Sequence, residues 1–146
     1  MGELFLEQRE GMLTRLHFVA EGEKPELEKS GNSDRPAFRE VVSQLNAYFR
    51  GELREFDIPL LLEGTEFQKR AWKVLQAIPY GETISYGEQA RRMGSPKAVR
   101  AVGGANHRNP VAIIVPCHRV IGKSGDLTGF GGGLAIKARL LALEKT

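Results

Sequence analysis

The sequence predicts two joined units: a small α/β domain over residues 1–62 and a mainly α domain over 63–146 that carries a (winged) helix-turn-helix. Three observations lead there. The first third pairs one alternating apolar stretch, Met12 to Val19, with one apolar stripe at helical spacing. From Thr65 onward, helix-start residues recur, and two short helices follow each other across a glycine-containing link. The charge also changes sign along the chain. Residues 1–66 hold 8 Lys+Arg and 14 Asp+Glu, a net −6, whereas residues 67–146 hold 13 and 4, a net +9.

In chain order, Met12–Val19 reads as a strand in a hairpin with Glu3–Gln8 across Arg9-Glu10-Gly11. Gly22–Gly31, charged and holding Pro25, reads as loop. Asp34 can cap a helix with Pro36 in its first turn, and Phe38, Val41, Val42, Leu45, Tyr48 and Phe49 form its stripe until Gly51. Phe56–Leu62 is extended, and Pro59 keeps it at an edge. Thr65 and Gln68 make a capping box for a helix that buries Phe67, Ala71 and Trp72, and Ile78-Pro79-Tyr80-Gly81 stops it. Ser85 and Glu88 make a second box, opening a helix that ends at Gly94. Ser95-Pro96 then restarts the chain for a helix from Lys97 to about His107. That helix is small on one side, at Ala98, Ala101, Gly103, Gly104 and Ala105, which suits either tight helix packing or close approach to a nucleic-acid groove. A glycine-rich loop follows Val120, with Phe130 as an apolar wall, and Leu134–Glu144 is a final helix.

Composition narrows the function. No apolar stretch approaches the ~20 residues of a membrane span, and no secretory leader is visible at Met1–Phe5. A single cysteine forms no internal disulfide, which fits a reducing cytoplasm, and His17 and His107 show no metal-ligand spacing. No metal and no cofactor are expected. A basic second half suggests a polyanionic partner.

The stretch Asn109 to Val120 holds that lone cysteine, Cys117, with His118 beside it, Pro116 before it and Arg119 close behind. Neighbouring His or Arg can turn a thiol into a nucleophile. A lone cysteine is also a common buried hydrophobe, and the residue types leave both readings open.

Pro116-Cys117-His118-Arg119-Val120, preceded by Asn109-Pro110, resembles the active-site signature of the O6-alkylguanine-DNA alkyltransferases. Ile84-Ser85-Tyr86, Arg100-Ala101-Val102-Gly103-Gly104-Ala105 and the stretch Leu134–Glu144 resemble family motifs in the same order, so the likeness spans Thr65 to Glu144. It implies action on alkylated double-stranded DNA from the minor groove, which is narrow, about 6 Å, and would explain the small residues; a monomer is the default expectation. Arg100 would fill the stack where a nucleotide has flipped out. Tyr86 would press on the adjoining phosphate, and Asn109 would tie the helix-turn-helix to the reactive segment. Ser85, Lys97, Ala101, Gly103, Gly104, Ala105 and Arg119 would complete the DNA face. Pro116, Val120, Phe130 and Gly131 would line the base pocket. Gly131 stands where relatives often have serine, and the N-terminal zinc ligands of some relatives are absent.

The chemistry implied is direct repair. Cys117 attacks the alkyl carbon of O6-alkylguanine, with O4-alkylthymine a second candidate, after the base has left the stack. His118, oriented by Glu144, takes the thiol proton through a water, and Tyr86 assists the leaving guanine. The thioether has no means of cleavage, so each molecule acts once. A cysteine hydrolase would not need the helix-turn-helix, and nothing resembles a regulator's effector domain. A lesion-binding sensor without transfer is the nearest rival.

Overall fold

The computed structural model describes residues 4–18, 36–122 and 134–145. The Asp34 cap, the 22–31 loop and the glycine-rich loop with Phe130 and Gly131 fall outside those residues. The fold is the predicted one, an α/β unit followed by a mainly helical unit.

Strands β1 (Leu4–Arg9) and β2 (Met12–Phe18) pair antiparallel. Their turn places Glu10 at φ 52° and Gly11 at φ 81°, the positive-φ pair that matches the right-handed strand twist. The ladder slips by one residue, because Glu7 faces Arg15 while Gln8 faces Leu13, leaving Thr14 as a bulge. Thr14 Oγ1 donates to the Glu7 carbonyl at 3.1 Å and its carboxylate at 2.9 Å, closing the gap. In a regular strand, residues three apart point their backbone groups to opposite edges. With the bulge, Leu13 and Leu16 both serve the outer edge. Leu13 exchanges hydrogen bonds with Pro59 and Leu61, and Leu16 exchanges them with Pro110 and Ala112. The bulge therefore lets one strand hold both the 59–61 segment and the segment leading to Cys117.

Helix α1 (Pro36–Phe49) turns Phe38, Val41, Leu45 and Tyr48 into the core, and Gly51 at φ 77° follows it. Helix α2 (Glu66–Gln76) opens on the full Thr65–Gln68 capping box and buries Ala71, Trp72 and Leu75; Phe67 is half-buried. Trp72 is core, and its Nε1–H donates to Ala105 O at 2.9 Å. Strand β3 (Ile84–Ser85) leads into α3 (Tyr86–Arg92), and α4 (Val99–His107) completes the helix-turn-helix.

Two expected helix starts differ. Ser85 Oγ accepts from Glu88 N at 3.0 Å, but the Glu88 carboxylate does not return the bond; it takes both Arg91 and Arg92 instead. Ser95 does not cap α4, which begins at Val99 with no side-chain cap. The reason lies between the two helices. Gly94 at φ 78° sends its N–H to Arg91 O, and Ser95 sends its own to Ala90 O. This is the Schellman closure of α3, and residues 95–98 then close a turn of their own, with Ala98 N–H on Ser95 O at 2.9 Å, before α4 begins.

A short 3-10 turn (Cys117–Arg119) runs into β4 (Val120–Ile121), which pairs in parallel with β3. Helix α5 (Leu134–Glu144) packs back on that turn, burying Lys137, Leu140 and Glu144. The core is continuous across both units, from Leu16 and Tyr48 through Trp72 and Val111 to Leu140.

Candidate active site

The segment before Cys117 is a knot of tight turns. Ile113 takes φ 72° while Ile114 N–H bonds Ala112 O at 2.8 Å. This is a γ-turn of the strained sense, at a β-branched residue that rarely accepts positive φ. Pro116 (φ −82°, ψ 69°) makes the relaxed, inverse γ-turn, with Cys117 N–H on Val115 O at 2.8 Å. Asn109 fastens the knot: its amide Nδ2 donates to Val115 O at 2.7 Å and its Oδ1 accepts from Val111 N at 3.0 Å. Strain of this size, about 1–3 kcal/mol, persists only where the surroundings over-determine it. Here the surroundings are Asn109, the Leu16 backbone and full burial of Ile113.

Cys117 as a residue keeps partial exposure, while its thiol is buried beside Asn109. Burial pushes its pKa up, and the Asn109 side chain and the Lys137 ammonium draw it back only in part. The resting group is a thiol. His118 beside it is fully buried, and its Nε2 meets Glu144 Oε2 at 2.6 Å. Among the described residues, His118 Nδ1 is the buried side-chain polar atom with no hydrogen-bond partner. Burial lowers the imidazole pKa more than Glu144 raises it. Burial would raise Glu144, but hydrogen bonds from His118, Arg119 and Tyr48 outweigh it and hold the carboxyl at about 2. The pair is therefore neutral imidazole on carboxylate, with Nε2–H donating and Nδ1 left as an acceptor.

Arg119 was expected on the DNA face; the structure corrects this. Its side chain is 8% exposed and forks onto Glu144 (Nε–Oε1 2.8 Å, Nη2–Oε2 3.1 Å), with Nη1 on Ile78 O at 2.7 Å. Its five donors favour a planar carboxylate over a solvated phosphate here because that carboxylate is already buried. Ala105 is likewise buried, against Trp72, and not on the outer face. Val120 and Pro116 are buried beside Cys117.

The other DNA-face candidates are outward. Lys97, Arg100, Ala101 and Arg108 are exposed, and among the described residues none of these cations makes an ion pair. Arg91 and Arg92 are instead spent on Glu88. Ser85 is half-buried as the α3 cap, and Gly103 and Gly104 lie half-exposed on α4. Tyr86 sits where three elements meet. A Cβ on Gly103 would lie 3.9 Å from its ring, Lys137 Nζ is 5.9 Å from the ring centroid, and the parallel β3–β4 ladder pairs the preceding Ser85 with Ile121.

Three contributions were not legible as site features. Lys137, fully buried, donates to Val120 O at 2.6 Å; the signal was its place on the buried line Lys137-Leu140-Glu144 of an otherwise apolar helix. Gln89 and Asn106 exchange reciprocal amide bonds of 2.9 and 2.7 Å inside the helix-turn-helix. Tyr48 donates to Glu144 Oε2 at 2.5 Å from the other unit. No group of three or more His, Cys, Asp or Glu among the described residues is placed to hold a metal, and no described helix is long and apolar enough to cross a membrane.

Fold and site together define a two-unit protein that presents a buried thiol beside a helix-turn-helix. Residues 66–146 match the family described as 6-O-methylguanine DNA methyltransferase, DNA binding domain, and residues 1–62 match its ribonuclease-like domain. The methylated-DNA–protein-cysteine methyltransferase of Mycolicibacterium paratuberculosis is 57% identical over 99% of this chain and 87% of its own. That of Methanosarcina acetivorans is 54% identical over 99% of this chain and 92% of its own. The crystal structure of Mycobacterium tuberculosis OGT in complex with DNA superposes with a TM-score of 0.86 at 54% identity, covering 97% of this chain and 86% of that one. The chain belongs to the 6-O-methylguanine DNA methyltransferase family.

Proposed function

We propose that this protein repairs DNA by moving the alkyl group of O6-alkylguanine onto Cys117, once per molecule. The observation that carries the reading is the polarity of the buried pair: His118 gives Nε2 to Glu144 and keeps Nδ1 unpartnered next to the residue that bears the thiol. A buried thiol with a raised pKa needs its proton removed as it attacks. Neutral His118 accepts that proton at Nδ1 through a water, and Glu144 and Arg119 hold the imidazole in place. The sulfur–carbon bond forms as the carbon–O6 bond breaks. The electron pair passes to guanine, which regains a proton, and Tyr86 supports that step as a hydrogen-bond donor. The products are S-alkylcysteine and unmodified guanine.

DNA is the partner the family and its DNA-bound relative support. We place α4 in the minor groove, with Arg100 at its exposed leading end and Ala101, Gly103 and Gly104 allowing close approach. Tyr86 and Ser85 then face the flipped nucleotide, and Lys97 meets the backbone. We take residues 1–62 as the supporting domain and 63–146 as the transfer domain of a cytoplasmic monomer.

The test is intact mass after incubation with a duplex carrying one O6-methylguanine. A gain of about one methylene (~14 Da), saturating at one per molecule and absent in Cys117→Ala, is expected for an irreversible covalent transfer. Tight lesion binding without the gain would make the protein a sensor instead.

A further inference from the structure

The amino-terminal unit sends one polar side chain into the reaction centre. Tyr48, on the last turn of α1, is fully buried and 96 residues distant from Glu144 in sequence. A buried tyrosine needs only some acceptor for its hydroxyl. Tyr48 takes the oxygen that His118 uses: Glu144 Oε2 receives Tyr48 at 2.5 Å, His118 Nε2 at 2.6 Å and Arg119 Nη2 at 3.1 Å. Oε1 receives Arg119 Nε at 2.8 Å and the Gly81 N–H at 3.3 Å. A carboxylate offers about four lone-pair sites, so this one is saturated.

We propose that Tyr48 is a positioning residue for alkyl transfer: its hydroxyl clamps Glu144 and weakens that carboxylate's pull on the imidazole proton, so that His118 stays neutral with Nδ1 able to accept. The proposal rests on the reading of the site given above. Two physical effects support it. The phenol and the Arg119 fork approach the carboxylate from different elements, so its plane cannot rotate away from His118. Each donor also lowers the proton affinity of the carboxylate, and a less basic carboxylate stabilises imidazolium less. The phenol remains a donor because burial, and then the Glu144 hydrogen bond, keep it protonated. Among the described residues, the other charged or titratable groups around the pair are Arg119 on the 3-10 turn, Cys117 at its start, Lys137 on α5 and Tyr80 on the α2–β3 turn. Tyr80 bonds Leu143 O and lies under Arg54 and Arg119. Among the described residues, Tyr48 is the group of the first unit that donates to Glu144 Oε2.

The experiment is the single-turnover transfer rate from an O6-methylguanine duplex across pH 5 to 9, on the full chain. Tyr48→Phe keeps the ring and removes the hydroxyl. The acid limb of its profile moves to higher pH, and its plateau falls roughly three- to tenfold, the range for losing one ordinary hydrogen bond. Affinity for the lesion duplex stays within about twofold. In a Glu144→Gln background the same change has no further effect on rate, because Tyr48 acts through that carboxylate. Should Tyr48→Phe fail to fold, 3-fluorotyrosine at position 48 keeps ring and hydroxyl but donates more strongly, and it moves the acid limb to lower pH. A Tyr48→Phe profile that overlays the native one, with only a lower melting temperature, overturns the proposal. So does an undiminished effect in the Glu144→Gln background. If the native protein transfers nothing, the proposed function has failed, and Tyr48 is then judged by the NMR titration of the His118 ring. There an upward shift of the midpoint in Tyr48→Phe supports the clamp and an unmoved midpoint refutes it.

Discussion

At the scale of single residues, Arg119 and Arg100 separate two uses of the same side chain. Removing Arg119 leaves the Glu144 carboxylate buried without its fork, a loss of about 3–5 kcal/mol for a broken buried pair. Arg119→Met is therefore expected to lower the urea midpoint strongly while leaving the salt dependence of DNA binding unchanged. Arg100→Ala is expected to do the opposite. An exposed cation without an ion pair costs within about 0.5 kcal/mol of stability, but the slope of log affinity against log salt shrinks by about 0.9 if it meets a phosphate. A slope that shrinks in Arg119→Met would return Arg119 to the interface. Sequence separated the two poorly for a physical reason. Both lie in the basic half, and composition says nothing about which cation has a buried carboxylate waiting. Cys117 and His118 were legible because the single cysteine has a histidine directly beside it. Glu144 looked like a solvated helix end, and only the family resemblance paired it with His118. Tyr48 read as one more apolar position, since nothing local reveals where its hydroxyl points.

At the scale of elements, the turn grammar of the chain carried most of the fold. Thr65 with Gln68, and Gly94 after α3, did what their residue types require. Ser95 misled because residues 95–98 close as a separate turn, with Ala98 N–H on Ser95 O, and the helix begins only after it. The bulge at Thr14 left no sequence signal, because an alternating pattern of that length tolerates a one-residue slip. Inside the helix-turn-helix, the Gln89–Asn106 exchange fixes how α3 meets α4. Gln89→Leu alone strands the Asn106 amide in the core and is expected to cost about 1–3 kcal/mol. Replacing both by leucine removes the stranded group, so the double variant should lose less than the sum of the two singles. Urea denaturation of the three variants measures this, and strict additivity would mean the pair contributes no coupling. In the reactive segment, Asn109→Ala gives up two side-chain bonds that hold a strained turn, a further cost of about 1–3 kcal/mol. Its transfer rate should fall more than its stability predicts, as the Ile113 turn relaxes away from Cys117; a rate that tracks stability alone would deny the turn a role.

At the scale of the whole molecule, the two units share both a core and a buried charge cluster, and acid should expose that joining. The Glu144 carboxyl sits at about 2 in the folded protein against an ordinary 4.5. Its stabilisation is complete above the unfolded value and is lost as pH falls from 4.5 towards 2, on the order of 3 kcal/mol. His118, with its pKa lowered by burial, acts in the same direction from higher pH, because the unfolded chain binds the imidazole proton first below an ordinary 6.5. The group that is lost is held by Tyr48 from one unit and by Arg119 and His118 from the other. The Leu16 backbone is also bonded to Pro110 and Ala112, so the hairpin cannot detach without unpairing the reactive segment. Unfolding should then be a single transition at every pH, with a midpoint that drops as pH falls from 6.5 towards 3. Trp72 fluorescence reports the helical unit, and the NMR signal of His17, stacked on Phe5 at 4.7 Å, reports the hairpin. Coincident urea curves at pH 7, 5 and 3.5 are expected. A hairpin signal that melts first at low pH while Trp72 stays folded would show that the units are joined by proximity and not by the Glu144 cluster.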